Sequence, residues 1–201
     1  METYETQESN YCYKGTDVLI NKANVRTKEK LDSLEKDIVT YRLFELRRAG
    51  ITGEFDKNHL ISIHKRIFHD IYEFAGEYRN ENIAKGVFLF SNFEFIDYSL
   101  DEIFKDLQKD IDDKIFENES KEEFAEKLAY YYAELNVVHP FREGNGRTIR
   151  EFLRQLALKY GYVLDFTQIP SNEILQAAIK SITDITDLKR IYEKGLKKVK
   201  W

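Results

Sequence analysis

Cysteine is almost missing from this 201-residue chain. Cys12 is the only one, so no disulfide can close within the chain and no zinc site can be built on thiolates alone, which points to a reducing compartment. Proline is nearly as scarce, at Pro140 and Pro170, and glycine occurs only 9 times. So few backbone breakers in a sequence rich in Leu, Ile, Lys and Glu favour helices over a multi-stranded sheet. No apolar run reaches the roughly eighteen residues of a membrane span, and the opening "METYETQESNYCYKG" lacks the hydrophobic stretch of a secretory signal. A soluble cytoplasmic protein without a membrane partner is expected. Surplus positive charge is absent too: the formal net charge is -5, which argues against a chain whose main task is to coat nucleic acid. The basic end "KGLKKVKW" reads as a solvated helix end.

What the sequence does have is bulk to bury. Hydrophobic residues make up 42%, with 13 Tyr and 14 Phe, beside 33% charged residues. That composition fits one soluble core, and the length fits one domain spanning 1–201. Residues 1–15 read as an irregular lead-in. A helix is expected from an N-cap at Thr27, with Leu31, Leu34, Ile38, Leu43 and Leu46 at helical spacing. A second is expected over 57–72, with Leu60, Ile63, Ile67 and Ile71 inward and "AG" at 75–76 closing it. The period changes over "EYRNENIAKGVFLFSNFEFI", residues 77–96, which predicts a short hairpin. Helices resume over 97–117 and 120–138, the latter opened by Ser120 with Glu123 three positions on, a capping box. A further helix follows Gly146 and stops at Gly161, and two shorter ones are expected near 171–182 and 184–197. The fold class is therefore mainly α, without repeats or linkers.

The densest chemistry lies in "VVHPFREGNGRTIREF", residues 137–152. Pro140 should end the preceding helix near Val138 and leave His139 at its mouth. Gly144 and Gly146 bracket Asn145, a composition that lets backbone N–H groups converge just where a new helix presents its own unpaired N–H groups and positive dipole end. This is an anion site, and phosphate is its usual occupant. Arg147 and Arg150, three apart, share a helix face and suit a polyphosphate. Glu143 beside a bound polyphosphate calls for a cation between them, which predicts Mg²⁺. Histidine titrates near neutrality, so His139 is the natural acceptor of a hydroxyl proton. Each feature alone has a plain structural explanation as a cap, a turn or a solvated face; their joint occurrence argues for a site.

"HPFREGNGRTIR", residues 139–150, resembles the full signature of the Fic family, His-Pro-Phe-x-Asp/Glu-Gly-Asn-Gly-Arg-x-x-Arg, with no departure at a defined position. "GTDVLINKANVR" and "IHKRIFHDIYEFAGEYRNENIAKG" also resemble bacterial Fic domains, so the likeness covers most of residues 11–165. The resemblance implies an all-α fold with a β-hairpin flap, and transfer of AMP from ATP to a hydroxyl side chain (Tyr, Ser or Thr) of a target protein. It implies that His139 is the general base and that Glu143 holds Mg²⁺ against the α- and β-phosphates. Gly144, Asn145 and Gly146 would cradle the anion, Arg147 would contact the β- and γ-phosphates, and Arg150 the γ-phosphate. Phe141 would anchor the loop in the core. The flap, here Lys85, Gly86, Val87, Phe88, Leu89 and Phe90, would register the target chain by strand addition.

Many Fic enzymes are silenced by a helix carrying Ser/Thr-x-x-x-Glu-Gly/Asn. No Ser or Thr here has Glu four positions later, and the nearest imitations, Ser33 to Asp37 and Thr183 to Asp187, carry a shorter acid. The resemblance then implies the class inhibited in trans by a small antitoxin whose glutamate meets Arg150, with DNA gyrase and topoisomerase IV as candidate targets. Two other readings stand beside it: transfer of another phosphate-containing group (phosphate, UMP or phosphocholine), and a non-catalytic module that keeps the scaffold for binding. The latter has no physical need for His139, Glu143, Asn145, Arg147 and Arg150 together. His59, His64 and His69, spaced by five, rotate around a helix and are not expected to bind a metal.

Overall fold

Helix α1, Lys28–Ala49, starts after an extended Thr27 whose side chain makes no capping bond, so its start is set by burial of Leu31, Val39 and Leu46 and not by the cap. The computed structural model describes residues 9–50, 53–86 and 88–199; the first half of the expected lead-in, Val87 and the last two residues of the basic end lie outside them. Asp56 caps α2, Lys57–Phe68, by accepting the His59 N–H. This helix is four residues shorter than the spacing predicts. The His69 ring reaches back to the carbonyls of Lys65 and Arg66, and Ile71 N–H turns onto Phe68 O at 2.9 Å, so the chain curls at 69–76 while Ile71 and Tyr72 stay buried.

The expected hairpin follows. Strands β1, Ala84–Lys85, and β2, Phe88–Leu89, pair antiparallel with Ala84 opposite Leu89 and Lys85 opposite Phe88. Gly86 at φ 58 supplies the left-handed turn. After a single 3-10 turn, Phe93–Phe95, comes α3, Ile96–Asp112. The predicted helix 97–117 is broken: Lys114 adopts φ 55, donates to Ile111 O, and α4, Ile115–Asn118, restarts as one turn. The capping box at Ser120 and Glu123 opens α5, Lys121–Val138, which ends where Pro140 requires.

Helix α6, Asn145–Lys159, closes against Gly161 at φ 80, as the glycine predicts. The expected pair of terminal helices is α7, Ser171–Lys180, and α8, Thr186–Gly195. The second is shorter than the spacing suggests, because the chain then extends as β4, Leu196–Lys198, and pairs with β3, Tyr162–Leu164. Among the described residues the fold is thus eight helices with two small antiparallel pairs. Helix α5 lies between α3, α6 and α8. One core cluster runs from Val18 to Leu196, and Ile83, Phe90 and Phe88 form a small separate one beneath the hairpin. No helix among the described residues is long and apolar enough to cross a membrane.

Candidate active site

His139 is the C-cap of α5, held at φ 49 and ψ 61 and almost wholly buried. Its Nδ1 lies 3.0 Å from Asn136 O. A carbonyl only accepts, so Nδ1 carries a proton, and in the neutral ring the lone pair then lies on Nε2, the tautomer of a base. Phe90, just past the hairpin, stacks on the imidazole with ring centroids 3.9 Å apart.

The loop that follows is held by its own side chains. Asn145 accepts from Phe141 N at 2.9 Å and donates to Phe141 O at 2.7 Å, closing the turn. The Asn145 side chain is thus spent on Phe141, and only its backbone N–H is left to meet an anion. Phe141 stacks on His64 at 3.8 Å, which anchors the loop as the resemblance implies. Gly144 sits at φ 80, and a Cβ there would stand 2.2 Å from Phe68 Cζ, so no other residue fits. A Cβ on Gly146 would press on Arg150 Nη1 at 3.1 Å.

The two signature arginines differ in what they hold. Arg147 Nη2 lies 3.1 Å from Glu143 Oε1, and Nη1 lies 2.7 Å from Glu35 Oε1 on α1. Glu35 is buried and also accepts the hydroxyl of Tyr72. Burial, with Glu35 beside it, pushes the Tyr72 phenol far up, so it stays a donor. Burial pulls the Arg147 guanidinium down, yet the two carboxylates outweigh it and the net shift is upward. Arg150, half-buried on the same helix, has no hydrogen-bond or ion-pair partner among the described residues.

His139, the glycine loop and both signature arginines face one cavity of about 440 Å³, while Phe141, Glu35 and Tyr72 support it from behind. His139, Glu143, Gly144, Asn145, Gly146, Arg147 and Arg150 line one side; Lys85, Gly86, Phe88 and Phe90 form its roof. Leu89 points outward and is 65% exposed. Leu175, Ala178, Ile179 and Ile182 add an apolar wall that could take a flat ring. No group of three or more His, Cys, Asp or Glu among the described residues could hold a metal alone. The donor set is one carboxylate, Glu143, which fits Mg²⁺ arriving with phosphate oxygens as its other ligands.

Two site residues escape the sequence reading. Glu35 carries a signal, since it lies four residues after Leu31 and four before Val39 on the buried stripe of α1, where a carboxylate needs a partner. Arg79 carries none; it is a lone arginine in an aperiodic stretch, and yet it is 2% exposed and bonded to the carbonyl of His139.

This architecture is shared with helical domains solved around nucleotides. The BepC protein of Bartonella tribocorum with bound AMPPNP superposes with a TM-score of 0.87 at 27% identity, covering 95% of this chain and 98% of that one. A Bartonella quintana Fic domain with bound ADP gives 0.86 at 26% identity, covering 95% and 96%. The chain belongs to the Fic/DOC family, whose profile matches residues 54–157. The protein adenylyltransferase VbhT of Bartonella schoenbuchensis is 36% identical over 188 residues, which are 94% of this chain but 39% of that protein. A protein of Escherichia coli named "Probable protein adenylyltransferase Fic" is 33% identical over 188 residues, 92% of this chain and 90% of its own length.

Proposed function

We propose that the chain is a protein adenylyltransferase that moves AMP from ATP to a hydroxyl side chain of another protein. The observation that carries this reading is the contact of His139 Nδ1 with Asn136 O at 3.0 Å, which makes Nε2 the basic nitrogen of the neutral ring, in the same cavity as a glycine-cradled helix N-terminus and an uncommitted Arg150. Nε2 takes the proton of the incoming hydroxyl as its oxygen bonds to the α-phosphorus; the bond to the β-bridging oxygen breaks and pyrophosphate leaves. The Gly144 N–H is taken by Glu143 Oε1 at 2.9 Å, so the backbone N–H groups of Asn145–Arg147, at the start of α6, face the developing negative charge. Arg150 meets the terminal phosphate, and Glu143, oriented by Arg147, would hold Mg²⁺, whose charge offsets that of the leaving group. The hairpin orders the target chain over His139 by strand addition, which the placement of Phe90 against the imidazole supports.

The same reading extends to control. Arg150 without a carboxylate partner among the described residues, and the lack of a Ser/Thr-x-x-x-Glu sequence, support a toxin-like enzyme restrained by a separate antitoxin that brings a glutamate to Arg150. Subunits of DNA gyrase and topoisomerase IV are the candidate targets to test first.

The test incubates the chain with α-³²P-ATP, Mg²⁺ and a bacterial lysate, beside His139→Ala and a metal-free sample. Labelled protein that needs both His139 and metal supports AMP transfer. Label only from γ-³²P-ATP would replace it with phosphate transfer, and none from either would favour the binding module.

A further inference from the structure

We infer that Arg79 is a positioning residue that locks the hairpin to the base-bearing end of α5, so that the place of the target strand and the place of the His139 imidazole are set together. For its kinetic consequence the inference rests on the transfer reading above.

Arg79 is buried and its guanidinium donates to four backbone carbonyls. Nε reaches His139 O at 2.8 Å, and Nη2 reaches Val138 O at 3.1 Å. Nη1 reaches Glu81 O at 2.8 Å, and Nη2 also bonds Ser91 O. The Arg79 backbone N–H adds Pro140 O at 2.9 Å. Three successive carbonyls of the turn that carries the base, 138 to 140, are thus held by one residue. The other two acceptors stand one on each limb of the hairpin, ahead of β1 and after β2. A helix C-terminus exposes unpaired carbonyls and the negative end of its dipole, so a cation there is stabilising. Only a planar fork can serve both sides of the joint at once.

The turn needs this restraint. His139 occupies left-handed backbone that a side chain disfavours. Ser91 N–H on Val137 O at 3.2 Å is a second strap between the same two elements. Because Phe90, next to Ser91, stacks on His139, any slip of the hairpin root moves the imidazole's neighbour. The anion cradle, in contrast, hangs on the Asn145–Phe141 pair and on α6.

Arg79→Lys keeps the charge and removes the fork. Labelling kcat should fall about 10- to 100-fold, as for a reacting group displaced by about 1 Å, with ATP affinity changed by less than about twofold. Hydrogen exchange should quicken in two places together, at the hairpin amides of 83–91 and at His139. In the unaltered chain the Arg79 Nε–H should exchange more slowly than the Nε–H of exposed arginines, a measurement that needs no variant. Unchanged kcat, a parallel loss of ATP affinity, or loosening of one segment alone would each overturn the inference. If the unaltered chain labels nothing, the transfer reading fails, and the exchange data still decide whether Arg79 couples the two elements.

Discussion

Two histidines beside the signature loop show how one residue type is set to opposite uses. His139 carries a proton on Nδ1, which meets Asn136 O, so in the neutral ring the lone pair lies on Nε2. His64 has the reverse arrangement: Nδ1 accepts Gly76 N–H at 2.8 Å, so Nε2 carries the proton and donates to Glu143 O at 3.0 Å. Both ring nitrogens of His64 are spent on backbone, in full burial, and that burial pulls its pKa down to about 3. A depressed histidine pKa means that the unfolded chain binds a proton which the folded chain refuses. Its contribution is therefore complete above the unfolded value near 6.5 and is lost as pH falls toward 3, by up to about 1.4 kcal/mol per pH unit. Urea unfolding from pH 7 to pH 4 should show this extra slope in the unaltered chain and not in His64→Gln. Equal slopes in the two proteins would mean that folded His64 accepts the proton after all.

Helix α5 carries its start signal and His139 at opposite ends. Its 18 residues put Ser120 about 27 Å from the His139 turn. Ser120→Ala should cost about 1 kcal/mol in the urea midpoint and leave ATP affinity unchanged; a loss of affinity would show that the helix transmits fraying along its length. Signals of this local kind are what the sequence makes legible. The capping box, Pro140, Gly161 and the glycines of the signature each act within a turn, and the helix ends and the loop fall where they point. What depends on partners distant in the chain is not legible. The pairing of β3 with β4, which shortens α8, joins segments more than thirty residues apart. The site divides in the same way. The loop could be read residue by residue, but Arg147 belongs in part to Glu35, more than a hundred residues earlier, and the His139 turn belongs in part to Arg79.

The cavity is accordingly a property of the whole chain and not of the family profile at 54–157. Helix α1 supplies Glu35 to the arginine, and α7 supplies the apolar wall and, through Ala178 O, a partner for Asn136 Nδ2 at 3.2 Å, on the helix turn that also fixes His139. Helix α8 lines none of it, yet packs along α5 and sets Tyr192 against Tyr132, a cavity residue, with ring centroids 6.3 Å apart. Leu188, Ile191 and Tyr192 are each at most 2% exposed. Burying three such side chains is worth roughly 5–9 kcal/mol, against a total stability of about 5–15 kcal/mol for a domain of ordinary size. Ending the chain at residue 185 should therefore abolish cooperative unfolding and ATP binding together, though every signature residue is kept. Ending it at 195, which removes β4 with its pairing to β3 and the residues after it, should lower the midpoint and keep the transition. Circular dichroism during urea titration distinguishes them: a cooperative, ATP-binding chain of residues 1–185 would show that α1 to α7 form a sufficient unit and that α8 is an addition to it.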